Sequence, residues 1–161
     1  MPDQKLKLFS EEREPAAIKI MQRMSRIQAW VFKKSGGRLM RTFFFMSPVG
    51  ILTCKGRKSG EWREVCLVYG EVDDKIVLIA SKAGCAGHPA WYYNLTTNPE
   101  CTMQVGRKPV AMVAREADGE EKTYLWGKMM EIYKGFDDYQ ERAAAVSGRV
   151  IPLMVLEPAT T

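Results

Sequence analysis

The chain has 161 residues, 46% of them apolar, and a net charge of +5. That length suits one sizeable hydrophobic core rather than two domains, and the composition excludes wholesale disorder. Its apolar runs, such as FFFMSPVGIL, are too short or too interrupted to span a bilayer, and early acids and lysines with no long apolar block argue against a secretory signal.

Residues 1–14 read as a flexible polar arm. Helix signals begin near SEEREP, where Ser10 can cap and Pro15 suits a first turn. Over residues 15–34 the pattern is helical. Lys19, Gln22, Arg23, Arg26, Lys33 and Lys34 share one face, Ile18, Ile20, Met21, Met24, Ile27, Val31 and Phe32 the other, and Trp30 lies at the border. This is a cationic amphipathic helix, which either packs over a sheet or also touches a membrane surface. SGGR ends it, and the connector LMRTFFFM follows, so that 15–48 form one helix-and-connector unit ahead of a barrel domain at 49–158. Strands are predicted at 49–55, 63–71 and 75–81, with a hairpin turn at 72–74. A short helix covers 89–95, strands cover 101–106 and 108–116, and 119–147 is helix-prone with breaks near Gly127 and Gly135. The last strand covers 150–158, and its Pro152 predicts an edge position or a bulge. The three middle strands are joined too tightly for repeated βαβ crossovers, so an antiparallel, barrel-like sheet with flanking helices is the expected fold.

Charge is unevenly placed. Residues 1–63 carry 14 Lys or Arg against 5 Asp or Glu, and residues 64–161 carry 10 against 14. The first part therefore attracts an anion: nucleic acid, a phosphorylated cofactor or an acidic membrane. The four cysteines form no CxxC pair, which leaves a zinc or thioredoxin-like site unsupported. A reduced, cytoplasmic protein is the simplest reading. Two strand ends break into glycines and cations. KGRKSG places Lys55, Arg57 and Lys58 between Gly56 and Gly60. Glycine lets backbone N–H groups approach an anion, and Arg adds a planar fork for phosphate oxygens. The loop has neither P-loop nor GxGxxG spacing, and by itself it is equally readable as a plain basic turn. SKAGCAGHPAWYYN adds Ser81, Lys82, Gly84 and Gly87, then Trp91, Tyr92, Tyr93 and Asn94. A cationic turn beside aromatic side chains suits a flat ring with an anionic tail. His88, the only histidine, reads as structural rather than as a base.

The blocks LTCKGRKSGEWREVCLVY, VLIASKAGCAGHPAWYYNLTTNPECTMQVG and VIPLMVLEP resemble the deazaflavin (F420)-dependent nitroreductase family, and within it the actinobacterial F420H2-dependent quinone reductase branch. The resemblance spans about residues 49–158. It implies a split β-barrel, similar to the flavin-mononucleotide-binding oxidoreductases, and reduced coenzyme F420 as hydride donor to a quinone, menaquinone included, or to a nitroaromatic or enone. It places Lys55, Arg57, Lys58 and Ser59 around the F420 phosphate, and Ala80, Ser81, Lys82 and Ala83 along the deazaflavin edge. Trp91 and Asn94 go against its ring and polyol. The family often reads Ser-Lys-Gly-Gly where this chain has Ser81-Lys82-Ala83-Gly84, so Ala83 must take an ordinary backbone angle or carry strain. Tyr133, Phe136 and Tyr139 match aromatic positions of the family's acceptor pocket, and Phe136 lacks a hydroxyl there. Ser81, Tyr133 and Tyr139 are the groups expected to stabilise negative charge on the acceptor or deliver a proton. An aromatic stripe at helical spacing would otherwise read as core.

Other readings of the residues stay open: a flavin-mononucleotide- or haem-binding split barrel, an F420 carrier without turnover, or a nucleic-acid-binding barrel. The last is disfavoured because the cations sit in compact glycine turns rather than along an aromatic strand face. The chain is expected to act as a monomer or homodimer, with peripheral contact to an anionic membrane through its first helix.

Overall fold

A computed structural model of the chain describes residues 14–39, 42–43 and 47–160. Most of the predicted N-terminal arm, with its Ser10 cap, and connector residues 40, 41 and 44–46 lie outside them. The elements are α1 (Glu14–Lys34), β1 (Thr42–Phe43), β2 (Ser47–Lys55), β3 (Trp62–Val68), β4 (Gly70–Val72), β5 (Lys75–Ile79), α2 (Ala90–Thr97), β6 (Glu100–Gln104), β7 (Val110–Glu116), α3 (Gly119–Ile132), α4 (Gly135–Ser147) and β8 (Leu153–Pro158).

The strands pair in the order β3-β2-β6-β7-β8-β5-β4, with β1 joined to the start of β2. Every pairing is antiparallel. β3 and β4 lie at opposite ends of this order, yet only Tyr69 separates them in the chain. The sheet must therefore curl until its ends meet, and the strand predicted over 63–71 is two strands with a bend between them. Tyr69 N–H still donates to the Pro48 carbonyl at 3.2 Å, extending the β2–β3 ladder up to the bend. The result is a split antiparallel barrel flanked by helices.

Alternation along the strands sorts the core into layers. Leu52, Ile76, Leu78, Met154 and Leu156 point into the barrel with Trp91 and Leu95 of α2. Their neighbours Val77, Ile79, Leu153 and Val155 face outward against Leu125 and Met129 of α3 and Phe136 of α4. Ile51 meets Ala29 and Phe32 of α1. β5 and β8 are buried on both faces, which is why they read as near-continuous apolar runs. β8 is thus an interior strand between β7 and β5. Pro152 does not mark an edge; it precedes the strand, and its carbonyl accepts from Ala80 N–H at 2.9 Å.

Turn chemistry behaves as its residues dictate. Asp73 (φ 51°) and Asp74 (φ 61°) make a two-residue hairpin turn between Val72 and Lys75. The break predicted at Gly127 does not occur; α3 runs through it, and the helices part at Tyr133 and Lys134. An exposed glycine costs a helix about 1 kcal/mol, less than Leu125 and Met129 gain by burial on either side. The apolar side of α1 also divides. Phe32 and Ala29 pack inward, and Ser25 Oγ accepts from Cys66 N–H of β3 at 3.1 Å. Ile20, Met24, Ile27 and Trp30 remain exposed, Met24 at 63%. The predicted apolar arc is wider than the sheet edge beneath it can cover.

Candidate functional site

The first glycine–cation loop is the turn from β2 to β3. Gly56 N–H donates to the Glu61 carbonyl at 2.7 Å, and Gly60 N–H to the Gly56 carbonyl at 2.8 Å. Asn94 of α2, 9% exposed, fixes it from below: Arg57 N–H donates to Asn94 Oδ1 at 3.0 Å, and Asn94 Nδ2 reaches Cys54 Sγ at 3.8 Å. The Arg57 guanidinium lies 4.7 Å from the Tyr93 ring centroid, a cation–π distance. Lys55, Arg57, Lys58 and Ser59 are exposed. Among the described residues none of these three cations joins an ion pair, whereas nearby Arg63 is held by Glu61 at 2.7 Å. Burial pushes the Cys54 thiol above its ordinary value, with the Asn94 bond opposing, so this cysteine is packing rather than a nucleophile.

The second loop leaves β5. Ala80 is buried, Ser81 is right-handed, and Lys82 (φ 47°), Ala83 (φ 52°) and Gly84 (φ 74°) are all left-handed. Ala83 therefore carries the strain that its sequence position raised, about 1–2 kcal/mol for an L-residue there. Gly84 packs tightly on α4, where an added Cβ would lie 2.6 Å from the Tyr139 carbonyl oxygen. Ser147 Oγ donates to the Ala86 carbonyl at 3.1 Å. Arg149, 8% exposed, enters from beyond α4. It donates to the carbonyls of Cys85 at 3.0 Å, Ala80 at 3.1 Å and Ser81 at 2.7 Å. Gln140 in turn binds the backbone on both sides of Val150: it donates to the Arg149 carbonyl at 3.0 Å and accepts from Ile151 N–H at 2.8 Å. Neither residue was legible as functional in the sequence. Their partners lie up to 69 positions away, and nothing local distinguishes an arginine at the start of an apolar strand.

α2 joins the two loops. His88 stands between them, its ring centroid 4.7 Å from Tyr92 and 5.7 Å from Tyr93. Arg149 Nη1 lies 3.0 Å from His88 Nδ1; since the guanidinium can only donate, Nδ1 accepts and the neutral ring carries its proton on Nε2. Burial holds His88 below its ordinary value, and the Arg149 charge acts the same way. The unfolded chain therefore binds the extra proton first. Stability present above the unfolded value of about 6.5 is lost as pH falls from there toward the lower folded value. The melting temperature should decline between neutral pH and mild acid, and His88→Gln should flatten that decline. Glu121, held low by Arg115, contributes only in a more acidic window, below about 4.3.

The aromatic group follows the α3–α4 break. Tyr133 and Tyr139 hydroxyls are 3.0 Å apart. Burial raises Tyr139 well above its ordinary value, and the bond to Tyr133 adds to this, so the hydroxyl is protonated throughout the neutral range. Phe136, 4% exposed, stacks edge-on against Tyr133 at 5.1 Å and belongs to the outer core. Trp91, 7% exposed, fills the barrel interior. Both act as backing for the site more than as its surface. Of the expected residues, Arg57 and Asn94 meet directly, while Ala80, Ser81, Lys82 and Ala83 form one turn whose next residue, Gly84, packs on the Tyr139 backbone. α2 spans the two groups.

The family pattern described as F420H(2)-dependent quinone reductase matches residues 24–158. An F420H(2)-dependent quinone reductase of Mycobacterium tuberculosis is 28% identical over 134 residues, covering 81% of this chain and 87% of that protein. Another M. tuberculosis protein carrying that family name is 34% identical over 113 residues, covering 69% and 90%. Among solved structures, an F420-H2 dependent reductase (FDR-A) is 36% identical with a TM-score of 0.61, covering 68% of this chain and 94% of that one. A domain-swapped dimer is 32% identical with a TM-score of 0.62, covering 80% and 97%. A heme binding protein from Mycobacterium smegmatis, 18% identical with a TM-score of 0.51, shares the fold alone.

Proposed function

This chain belongs to the F420H(2)-dependent quinone reductase family, and on that premise we propose how its two loops hold the cofactor and which acceptor its tyrosines serve. It is an F420H2-dependent oxidoreductase acting on an activated small-molecule acceptor. The observation that carries the site assignment is the β2–β3 turn: three exposed cations without ion-pair partners among the described residues, on a glycine backbone fixed by Asn94. That donor set fits a phosphorylated tail, which Arg57 and Lys58 would bind with Lys55 and Ser59 beside them. Tyr93 holds the Arg57 guanidinium from one side, limiting the rotamer entropy that binding would otherwise cost. The left-handed turn at 82–84 would then meet the ring edge with backbone and the Ser81 hydroxyl.

Bound reduced F420 supplies a hydride from C5 of its ring. The acceptor gains negative charge on oxygen and needs a proton. The Tyr133 and Tyr139 hydroxyls, 3.0 Å apart, are the groups this reading assigns to that oxygen. With its hydroxyl kept protonated by burial, Tyr139 would act as a donor to that oxygen and not as a base. A quinone, menaquinone included, fits this arrangement, because its carbonyl oxygens need only hydrogen-bond donation and a proton. Purified protein mixed with reduced F420 and a soluble quinone analogue should restore the visible absorbance of oxidised deazaflavin. No change with folded protein rejects the activity.

The face of α1 that the barrel leaves uncovered supports a second element. Ile20, Met24, Ile27 and Trp30 are exposed beside Lys19, Arg23, Arg26 and Lys34. Apolar side chains flanked by cations suit the surface of an anionic bilayer, which would bring the pocket to a lipid-borne quinone. No helix among the described residues is long and apolar enough to cross a membrane. Sedimentation with anionic vesicles should capture the protein at low salt and release it at high salt, and Met24→Glu with Ile27→Glu should abolish capture. Protein left in the supernatant at low salt removes this role.

A further inference from the structure

We propose that Arg149 is a positioning residue: it clamps the left-handed turn at Lys82, Ala83 and Gly84 in the shape the cofactor's ring edge requires. The inference rests on the cofactor site proposed above and concerns what holds that site in place. Three consecutive left-handed residues, two of them with side chains, do not persist unless their surroundings over-determine them. The turn's own hydrogen bonds are two, Gly84 N–H to the Ser81 carbonyl and Cys85 N–H to the Lys82 carbonyl, both at 3.0 Å. Arg149 adds three from outside. One planar guanidinium reaches the carbonyls just before the turn, at Ala80 and Ser81, and just after it, at Cys85, all within 3.1 Å. A fork that ties both ends of a turn fixes the spacing between them, and with it the direction of the backbone N–H groups in the middle.

The same side chain fixes the far end of the loop by donating to His88 Nδ1. His88 packs on Tyr93, which holds Arg57. Arg149 therefore sets the turn meant for the ring and touches the chain of contacts that ends at the phosphate loop. Its own position is set by Gln140, which binds the backbone at Arg149 and Ile151. Lysine cannot replace it: an ammonium has the charge but not the planar spread of donors needed to span three carbonyls and a ring nitrogen.

The test uses Arg149→Lys, Ala83→Gly and the two together, with two readouts: hydrogen exchange of amides 82–87 in the free protein, and F420 affinity from quenching of its fluorescence. Arg149→Lys should speed exchange across 82–87 and weaken F420 binding about tenfold, at a melting temperature that shows the barrel intact. Ala83→Gly removes the left-handed penalty at one residue, so it should restore part of the exchange protection and part of the affinity when added to Arg149→Lys. A residue that merely stabilised the barrel would not be rescued by one glycine in this turn. Unchanged exchange at 82–87 in Arg149→Lys, or a double variant no better than Arg149→Lys alone, overturns the proposal. Failure of the cofactor reading has a different signature: wild-type protein that leaves F420 fluorescence unchanged rejects the site, and with it Arg149's role there, whatever the exchange rates show.

Discussion

Replacing Arg57 and Lys58 together by alanine is expected to weaken F420 binding by roughly ten- to a hundredfold while leaving the fold intact. A hydrogen bond to a charged group is worth about 1.5–3 kcal/mol, and about 1.4 kcal/mol is a factor of ten. Both side chains are exposed, so water screens part of each contact, and the effect of the pair falls within the span of one such bond rather than two. Stability should hardly move, because neither side chain is buried, and the turn is tied by backbone bonds at Gly56 and Gly60 and by Asn94 on the Arg57 amide. Lys128→Ala is the matched control: that cation sits on α3, paired with Glu131 at 3.5 Å, and its loss should leave affinity unchanged. The loss should also shrink as salt rises, since salt weakens the wild-type contact that the variant lacks. Affinity that survives the double substitution would move the phosphate elsewhere.

How much of this could be read from the sequence depends on how local each cause is. Strand β5 and the body of β8 were legible because residues buried on both faces must be apolar without interruption, and that run is visible in one dimension. The glycine–cation turn between β2 and β3 was legible as a turn because its glycines and cations adjoin in sequence as they do in space. The bend at Tyr69 was not, because it answers a demand of the whole sheet: its two edge strands are neighbours in the chain. How much of α1's apolar side would face outward was left open for a related reason. A helical wheel separates apolar from charged positions, but it carries no information on how wide a strip of sheet lies beneath. Ala83 shows the opposite case. Its departure from the family's glycine left a choice between an ordinary backbone angle and strain, and φ 52° decides for strain, yet the arginine that ties both ends of that turn sits beyond three further helices and could be found only in three dimensions.

The sharpest consequence of the crowded second loop lies at Gly84, where alanine is expected to destabilise the protein by about 2–5 kcal/mol. Two costs combine. Gly84 has φ 74°, and an L-residue in the left-handed region costs about 1–2 kcal/mol. The new methyl would also lie 2.6 Å from the Tyr139 carbonyl oxygen and 2.9 Å from Arg142 Cβ. Neither is the free end of a flexible side chain, so relief must come from moving the turn off α4, an overpacking cost of about 1–3 kcal/mol. For a chain of this size each kcal/mol shifts the melting temperature by about 2–4 °C, so a drop on the order of 5–20 °C should be read by calorimetry. Moving the turn would also displace Ser81 and Lys82 from the ring edge proposed for them, so on that proposal F420 affinity should fall even at temperatures where the variant is folded. Gly127→Ala supplies the opposite sign. That glycine lies within α3 with nothing within 4 Å of an added Cβ, and alanine there should stabilise by roughly 0.5–1 kcal/mol through helix propensity alone. Two identical chemical changes would then move stability in opposite directions because one site is a close approach and the other is open helix surface. A Gly84→Ala protein that melts with the wild type would mean the turn has room that its packing on α4 denies.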